Sequence, residues 1–130
     1  MNNAEAQIYL LSKPETKLDF PFGEGVEVYK VKDKMFATLS LGTGNEKDTN
    51  GKLKDHYSMN LKCDPDEAVI LRDIFPSIIP AYHMNKRLWI TVILDGSIPQ
   101  GELERLIDNS FLLVVQKMTK KDRTSIELHL

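Results

Sequence analysis

Tyr57-Ser58-Met59-Asn60-Leu61-Lys62-Cys63 alternates apolar and polar side chains, and Asp64-Pro65 follows with no spacer. Strict alternation sets the apolar side chains on one face of a strand. Asp64 is a good helix N-cap, Pro65 suits the first helical position, and Glu67 stands three residues after the cap. A half-buried strand must therefore run straight into a helix. Ala68, Leu71, Ile74 and Phe75 supply that helix's buried stripe, and Pro76 stops it. Sheet and helix must then share one core.

The chain's 130 residues limit how many such cores there are. Size scaling gives a native surface of about 7,000 Å² against about 21,000 Å² for the extended chain. Folding then hides roughly two-thirds of the surface, enough for one core and one domain spanning residues 1–130. Lys and Arg total 17 and Asp and Glu 19, a formal net charge of −2. That excludes a histone-like polycation but not a basic face balanced by acidic residues elsewhere. One cysteine, Cys63, cannot form an intramolecular disulfide. The N-terminus lacks a basic, apolar leader, and the apolar runs near Leu88–Leu94 and Phe111–Val115 are too short to span a membrane. A cytoplasmic location is expected, with no membrane partner.

The remaining elements follow from the same signals. Residues 2–12 read as a helix that Asn3 can cap, with Ala4, Ile8 and Leu11 on one face. Phe20-Pro21-Phe22-Gly23 reads as a loop whose phenylalanines tuck into the core. Val26, Val28 and Val31 mark a strand, with a tight turn at Asp33-Lys34. In the next strand, Met35, Ala37, Leu39 and Leu41 alternate with Phe36, Thr38 and Ser40. Residues 42–55 show no periodicity and read as an exposed, mobile hairpin loop. Residues 78–83 and 88–94 read as extended. Ser97 with Gln100 and Pro99 resembles a capping box. Leu103, Leu106, Ile107, Phe111, Val114, Val115 and Met118 then recur at helical spacing, up to about Lys120. The tail beyond Lys121 reads as a short helix or strand. This gives a two-layer α+β domain, with a five-stranded antiparallel sheet and helices on one face.

Spacing excludes several chemistries. His56, His83 and His129 are isolated and have no zinc-type partner, so no metal or other cofactor is expected. Gly51-Lys52 invites a phosphate-loop reading, but Glu46 stands where the first glycine belongs and Leu53 where Ser or Thr would hold magnesium. No Gly-x-Ser-x-Gly elbow occurs. Cys63 continues the strand alternation, as a core thiol would. No catalytic residue is expected, and the chain does not read as an enzyme.

Tyr82-His83-Met84-Asn85-Lys86-Arg87-Leu88-Trp89 is the most unusual segment, with two aromatics, an imidazole, an amide and two cations together. Such a set suits binding: cations for phosphates, rings for stacking and Asn85 for paired hydrogen bonds. It also suits a turn in which Trp89 anchors a strand and His83 and Asn85 satisfy backbone groups. Lysines also gather at Lys30, Lys32 and Lys34, at Lys52, Lys54 and Lys62, and from Lys117 to Arg123.

Phe20-Pro21-Phe22-Gly23, Tyr29-Lys30-Val31, Lys34-Met35-Phe36-Ala37 and Asn60-Leu61-Lys62-Cys63-Asp64-Pro65 resemble successive motifs of the MmcQ/YjbR-like proteins. So do Pro80-Ala81-Tyr82-His83-Met84-Asn85-Lys86 with Trp89, Leu94-Asp95-Gly96-Ser97-Ile98-Pro99, and Leu106-Ile107-Asp108-Asn109-Ser110-Phe111. The resemblance runs in order over almost the whole chain. It implies an α-β3-α-β2-α fold related to secretion-chaperone-like and CyaY-like architectures. It also implies DNA binding through a "double wing" formed by the hairpins around Asp33 and Asn85-Lys86, or by loop 42–55. On that reading Lys62, His83, Lys86 and Arg87 meet phosphates, Asn85 lies near bases, and Trp89 completes the site. The alternative is a protein-interaction or chaperone-like module. It would use the open sheet face or an exposed edge, with an apolar patch supplied by the Phe36 face of its strand and the Met84 region. The partner is then DNA or a protein, and oligomeric state is left open.

Overall fold

The computed structural model describes residues 1–130 apart from Asp48 and His83. Helix α1 (Asn3–Leu11) is capped by Asn2 rather than Asn3. The Asn2 side chain accepts from the Glu5 N–H at 2.8 Å, and the Glu5 carboxylate accepts from the Asn2 N–H at 3.0 Å. Strand β1 (Thr16–Asp19), which the sequence pattern does not announce, alternates half-buried and exposed residues. Four residues, two of them charged, are too few to register as a period.

β1 pairs with β2 (Val26–Val31), which turns into β3 (Lys34–Leu41). Lys32 and Asp33 form the turn at φ 49° and 63°, one residue earlier than expected. Two left-handed residues match the twist of the flanking strands. β4 (Tyr57–Lys62) leads into α2 (Pro65–Ile74), where Asp64 caps as the sequence implies, accepting from the Asp66 and Glu67 N–H groups at 3.1 and 3.2 Å. β5 (Ile78–Pro80) and β6 (Trp89–Ile93) follow, then α3 (Gln100–Val115) and α4 (Lys120–Glu127).

The antiparallel sheet is therefore six-stranded, in the order β1-β2-β3-β4-β6-β5. This corrects the expected five strands and α-β3-α-β2-α order, because β1 is added at the edge and the tail forms α4. Ser97 does not cap α3. Its N–H and hydroxyl bond Asp95 Oδ1 at 3.0 and 2.6 Å, while Ser77 donates to the other Asp95 oxygen at 2.5 Å. Thr119 caps α4, accepting from the Asp122 N–H at 3.3 Å.

Leu10 of α1, Leu71 of α2, Phe111 of α3 and Ile126 of α4 all join one core with Tyr29, Leu39, Met59, Leu61 and Val92. All four helices thus feed one sheet face. A bulge changes which β3 residues face them. Tyr29 opposes Ala37 while Lys30 opposes Met35, leaving Phe36 as the extra residue. Phe36 is fully buried, edge-on to Phe111 with ring centroids 5.3 Å apart. Phe36 itself is therefore not part of the expected patch with the Met84 region, since the bulge turns it into the helix-facing core.

The other sheet face is also partly covered. Leu53, Ile79 and Ile93 form a second cluster, joined by Tyr82. Loop 42–55 is therefore anchored rather than wholly exposed. A Cβ on Gly42 would lie 1.8 Å from the Leu53 carbonyl oxygen, so only glycine lets the backbones approach. Phe20 and Phe22, expected inside, are 46% and 67% exposed. The Pro21-Gly23 turn carries them outward.

Candidate nucleic-acid interface

Antiparallel pairing brings distant basic segments to one end of the sheet. Ala37 opposes Leu61, so the Lys34 end of β3 lies beside the Lys62 end of β4. Lys62 opposes Trp89, the first residue of β6, and the Cys63 N–H donates to the Leu88 carbonyl at 2.9 Å. The Lys32-Asp33 hairpin and the Asn85–Leu88 turn therefore share this end. Loop 42–55 follows Leu41 at the opposite end.

Within the turn, the Asn85 carbonyl accepts from the Leu88 and Trp89 N–H groups at 3.2 and 3.0 Å. Its side-chain oxygen accepts from the Arg87 N–H at 2.9 Å. This Asx turn occupies half of the amide that paired recognition of a base would use. Lys86 Nζ donates to the Ala81 carbonyl at 2.7 Å, clipping the loop. Arg87 is exposed and Trp89 half-buried. His83 lies outside the described residues.

Ser110 fixes Lys62. The bulge at Phe36 and the end of β4 leave backbone groups off the ladder. The buried Ser110 hydroxyl donates to the Phe36 carbonyl at 2.5 Å and accepts from the Lys62 N–H at 2.8 Å. One side chain thus ties α3 to two strands where their pairing lapses. The C-terminal end of α3 brings Lys117 to Lys62. Partial burial, then the neighbouring Lys117 charge, hold the Lys62 ammonium below its usual range. Lys32, Lys34, Lys62 and Lys117 line a groove of about 450 Å³ with Asp122 as its one carboxylate. Lys32 pairs with Glu15 at 3.0 Å. Among the described residues, no carboxylate lies within ion-pair distance of Lys34, Lys62 or Lys117. Lys30 turns elsewhere, to Asp19 at 3.1 Å.

The groove meets a second cavity at Met35, which lines both. This cavity, about 380 Å³, lies on the sheet face away from the helices. Phe22, Tyr82 and Met84 line it together with Thr38, Ser40 and Asn60. Register sets Thr38, Asn60 and Thr91 in one row across β3, β4 and β6. Thr91 Oγ1 donates to Asn60 Oδ1 at 2.5 Å, and the Asn60 N–H donates to Thr38 Oγ1 at 3.3 Å. Sequence reasoning passed over this row. Its signal was the polar positions that alternate with the core residues, Thr38 in β3, Asn60 in β4 and Thr91 in β6, which register sets side by side on the face away from the helices.

Cys63 is buried on the other side. Burial, reinforced by Glu67 and Asp64, pushes its thiol up to about 11. Such a thiol is a poor nucleophile at neutral pH.

Comparison with known proteins adds a family. The family model described as YjbR matches residues 11–113. YbdF of Escherichia coli O157:H7 is 34% identical over 116 residues, covering 89% of this chain and 86% of its own. YjbR of Escherichia coli K12 is 27% identical over 123 residues, covering 95% of each. A crystal structure of a Deinococcus radiodurans protein superposes with a TM-score of 0.80 at 31% identity, over 97% of this chain and 88% of that one. A Pseudomonas syringae crystal structure gives 0.76 at 36% identity, over 87% and 98%.

Proposed function

The chain belongs to the YjbR family, and we propose that it is a binding protein for nucleic acid, DNA in the first place, with no chemistry of its own. The observation that carries this reading is the Lys34–Lys62–Lys117 cluster. Folding places like charges together and desolvates one of them, which costs free energy unless an anion arrives. Phosphates in a row are anions of the right spacing and number. The Lys32-Asp33 hairpin and the Asn85–Leu88 turn flank the cluster as the two wings that family resemblance implies. Arg87 extends the basic surface, while Lys86 and Asn85 hold the turn's shape. The net charge of −2 is compatible with this, since affinity depends on where charge sits and not on its sum.

Binding should weaken with salt, with a log–log slope of roughly −0.7 per contacted phosphate on single strands and about −0.9 on duplex. Mobility-shift or anisotropy titrations at two salt concentrations measure that slope. Lys62→Glu and Lys117→Glu should each lower affinity at least ~10-fold and flatten the slope by about one contact. Lys17→Glu, outside the groove, should do neither. No binding at about 50 mM salt, or binding indifferent to both groove substitutions, would overturn the proposal.

A further inference from the structure

We infer that the cavity beside the lysine groove takes a single unstacked base of a nucleic-acid strand whose phosphates lie on Lys34, Lys62 and Lys117. The inference rests on the nucleic-acid reading and adds to it a preference for single strands. Three observations carry it. First, the volume of about 380 Å³ falls within the range of small-ligand sites, roughly 300–1,000 Å³. Second, the walls and floor differ in chemistry. Phe22 and Tyr82 offer aromatic surface and Met35 and Met84 offer polarizable sulfur, as a flat ring requires. Thr38, Ser40 and Asn60 offer hydrogen bonds to a ring's edge.

Asn60 is the most telling of these. It is 8% exposed, and Thr91 already donates to its carbonyl oxygen. Its amide nitrogen has no acceptor among the described residues. The nitrogen is not itself sealed from solvent and opens onto the cavity, where a base carbonyl or ring nitrogen can take the place of water as its acceptor. The Phe22 ring is the opposite case: apolar, 67% exposed and at the cavity's edge. A base would cover it.

Third, the two cavities share Met35. A ligand that spans them must carry a negative, hydrated part and a flat, edge-polar part joined by a short link, and a nucleotide within a strand is such a ligand. A base stacked inside a duplex cannot reach the floor without being turned out of the helix, which costs on the order of 30-fold or more in affinity.

The test compares three fluorescein-labelled oligonucleotides by anisotropy on the intact protein: a short single strand, the same strand with consecutive abasic sites, and its duplex. The intact strand should bind about 10-fold tighter than the abasic strand, the size expected for one stacked base. Phe22→Ala, a change at an exposed position, should abolish that difference and leave the abasic strand's affinity unchanged. Equal affinity for intact and abasic strands overturns the base pocket while leaving the phosphate-binding groove standing. A difference that survives Phe22→Ala overturns the pocket in the same way. Failure of all three oligonucleotides to bind at about 50 mM salt instead removes the nucleic-acid reading, and the base pocket with it.

Discussion

At the residue scale, the most consequential side chain is small. Ser110 lies on the buried face of α3, where an apolar residue would be expected, and its exposure is zero. Its hydroxyl serves the Phe36 carbonyl and the Lys62 N–H at once. Ser110→Ala removes no packing volume of note but leaves two backbone groups without a partner. It should cost about 2 kcal/mol in urea unfolding, the usual penalty for a buried unsatisfied group. If the loss comes out within ~0.5 kcal/mol, as for an ordinary surface change, the bulge does not depend on Ser110. None of this was legible in the helical spacing, which registers Ser110 only as a break in the stripe between Ile107 and Phe111. Asp64 behaves oppositely. Its role as a cap needs only its own next three residues, so the sequence shows it in full.

Among the elements, the connections depart furthest from sequence expectation. Loop 42–55 is rich in Gly, Asn, Asp and Lys, which predicts mobility, yet its Leu53 is fully buried against Ile79 and Ile93. One leucine in fourteen residues produces no period, and its target lies on β5 and β6. Glu46 helps fold the loop on itself, accepting from the Thr43 and Gly44 N–H groups at 2.9 and 3.0 Å. Leu53→Ala should destabilise the protein by about 2–3 kcal/mol, the lower part of the range for buried leucines, because its cluster is small. Hydrogen exchange should show the 42–55 amides losing protection first. An unchanged unfolding midpoint would mean that the loop packs without contributing. β1 was missed for a related reason: its apolar content is one residue, Leu18, and it becomes a strand only because β2 presents an open edge.

Over the whole molecule, charge is sorted rather than absent. Lysines converge on the Lys62 end of the sheet, and several carboxylates are tied down elsewhere. Burial alone would raise Asp95, but hydrogen bonds from Ser77 and Ser97 outweigh it and hold the carboxyl below its usual range. Glu46 is likewise lowered against its own burial, by hydrogen bonds from Thr43 and Gly44. A carboxylate with a depressed folded pKa stabilises the protein above its unfolded value, roughly 3.9–4.3, and loses that contribution as pH falls through the folded value. Urea midpoints should therefore fall steadily as pH drops below about 4. Asp95→Asn should lower the neutral-pH midpoint and shrink this acid dependence; an unaltered dependence would remove Asp95 from the account. By itself the sequence determined the strand-to-helix junction at Cys63-Asp64-Pro65, the stripe of α3, the alternation of β4 and the membership of a family, because each is written in neighbouring residues. Tertiary structure alone decided that Phe36 faces the helices and that Leu53 holds a loop. It also placed Lys34, Lys62 and Lys117 together, and set Phe22 and Asn60 in the lining of one cavity. The physical reason is common to all of these. Register, a one-residue bulge and the docking of α3 relate residues tens of positions apart, and no local period records such a relation.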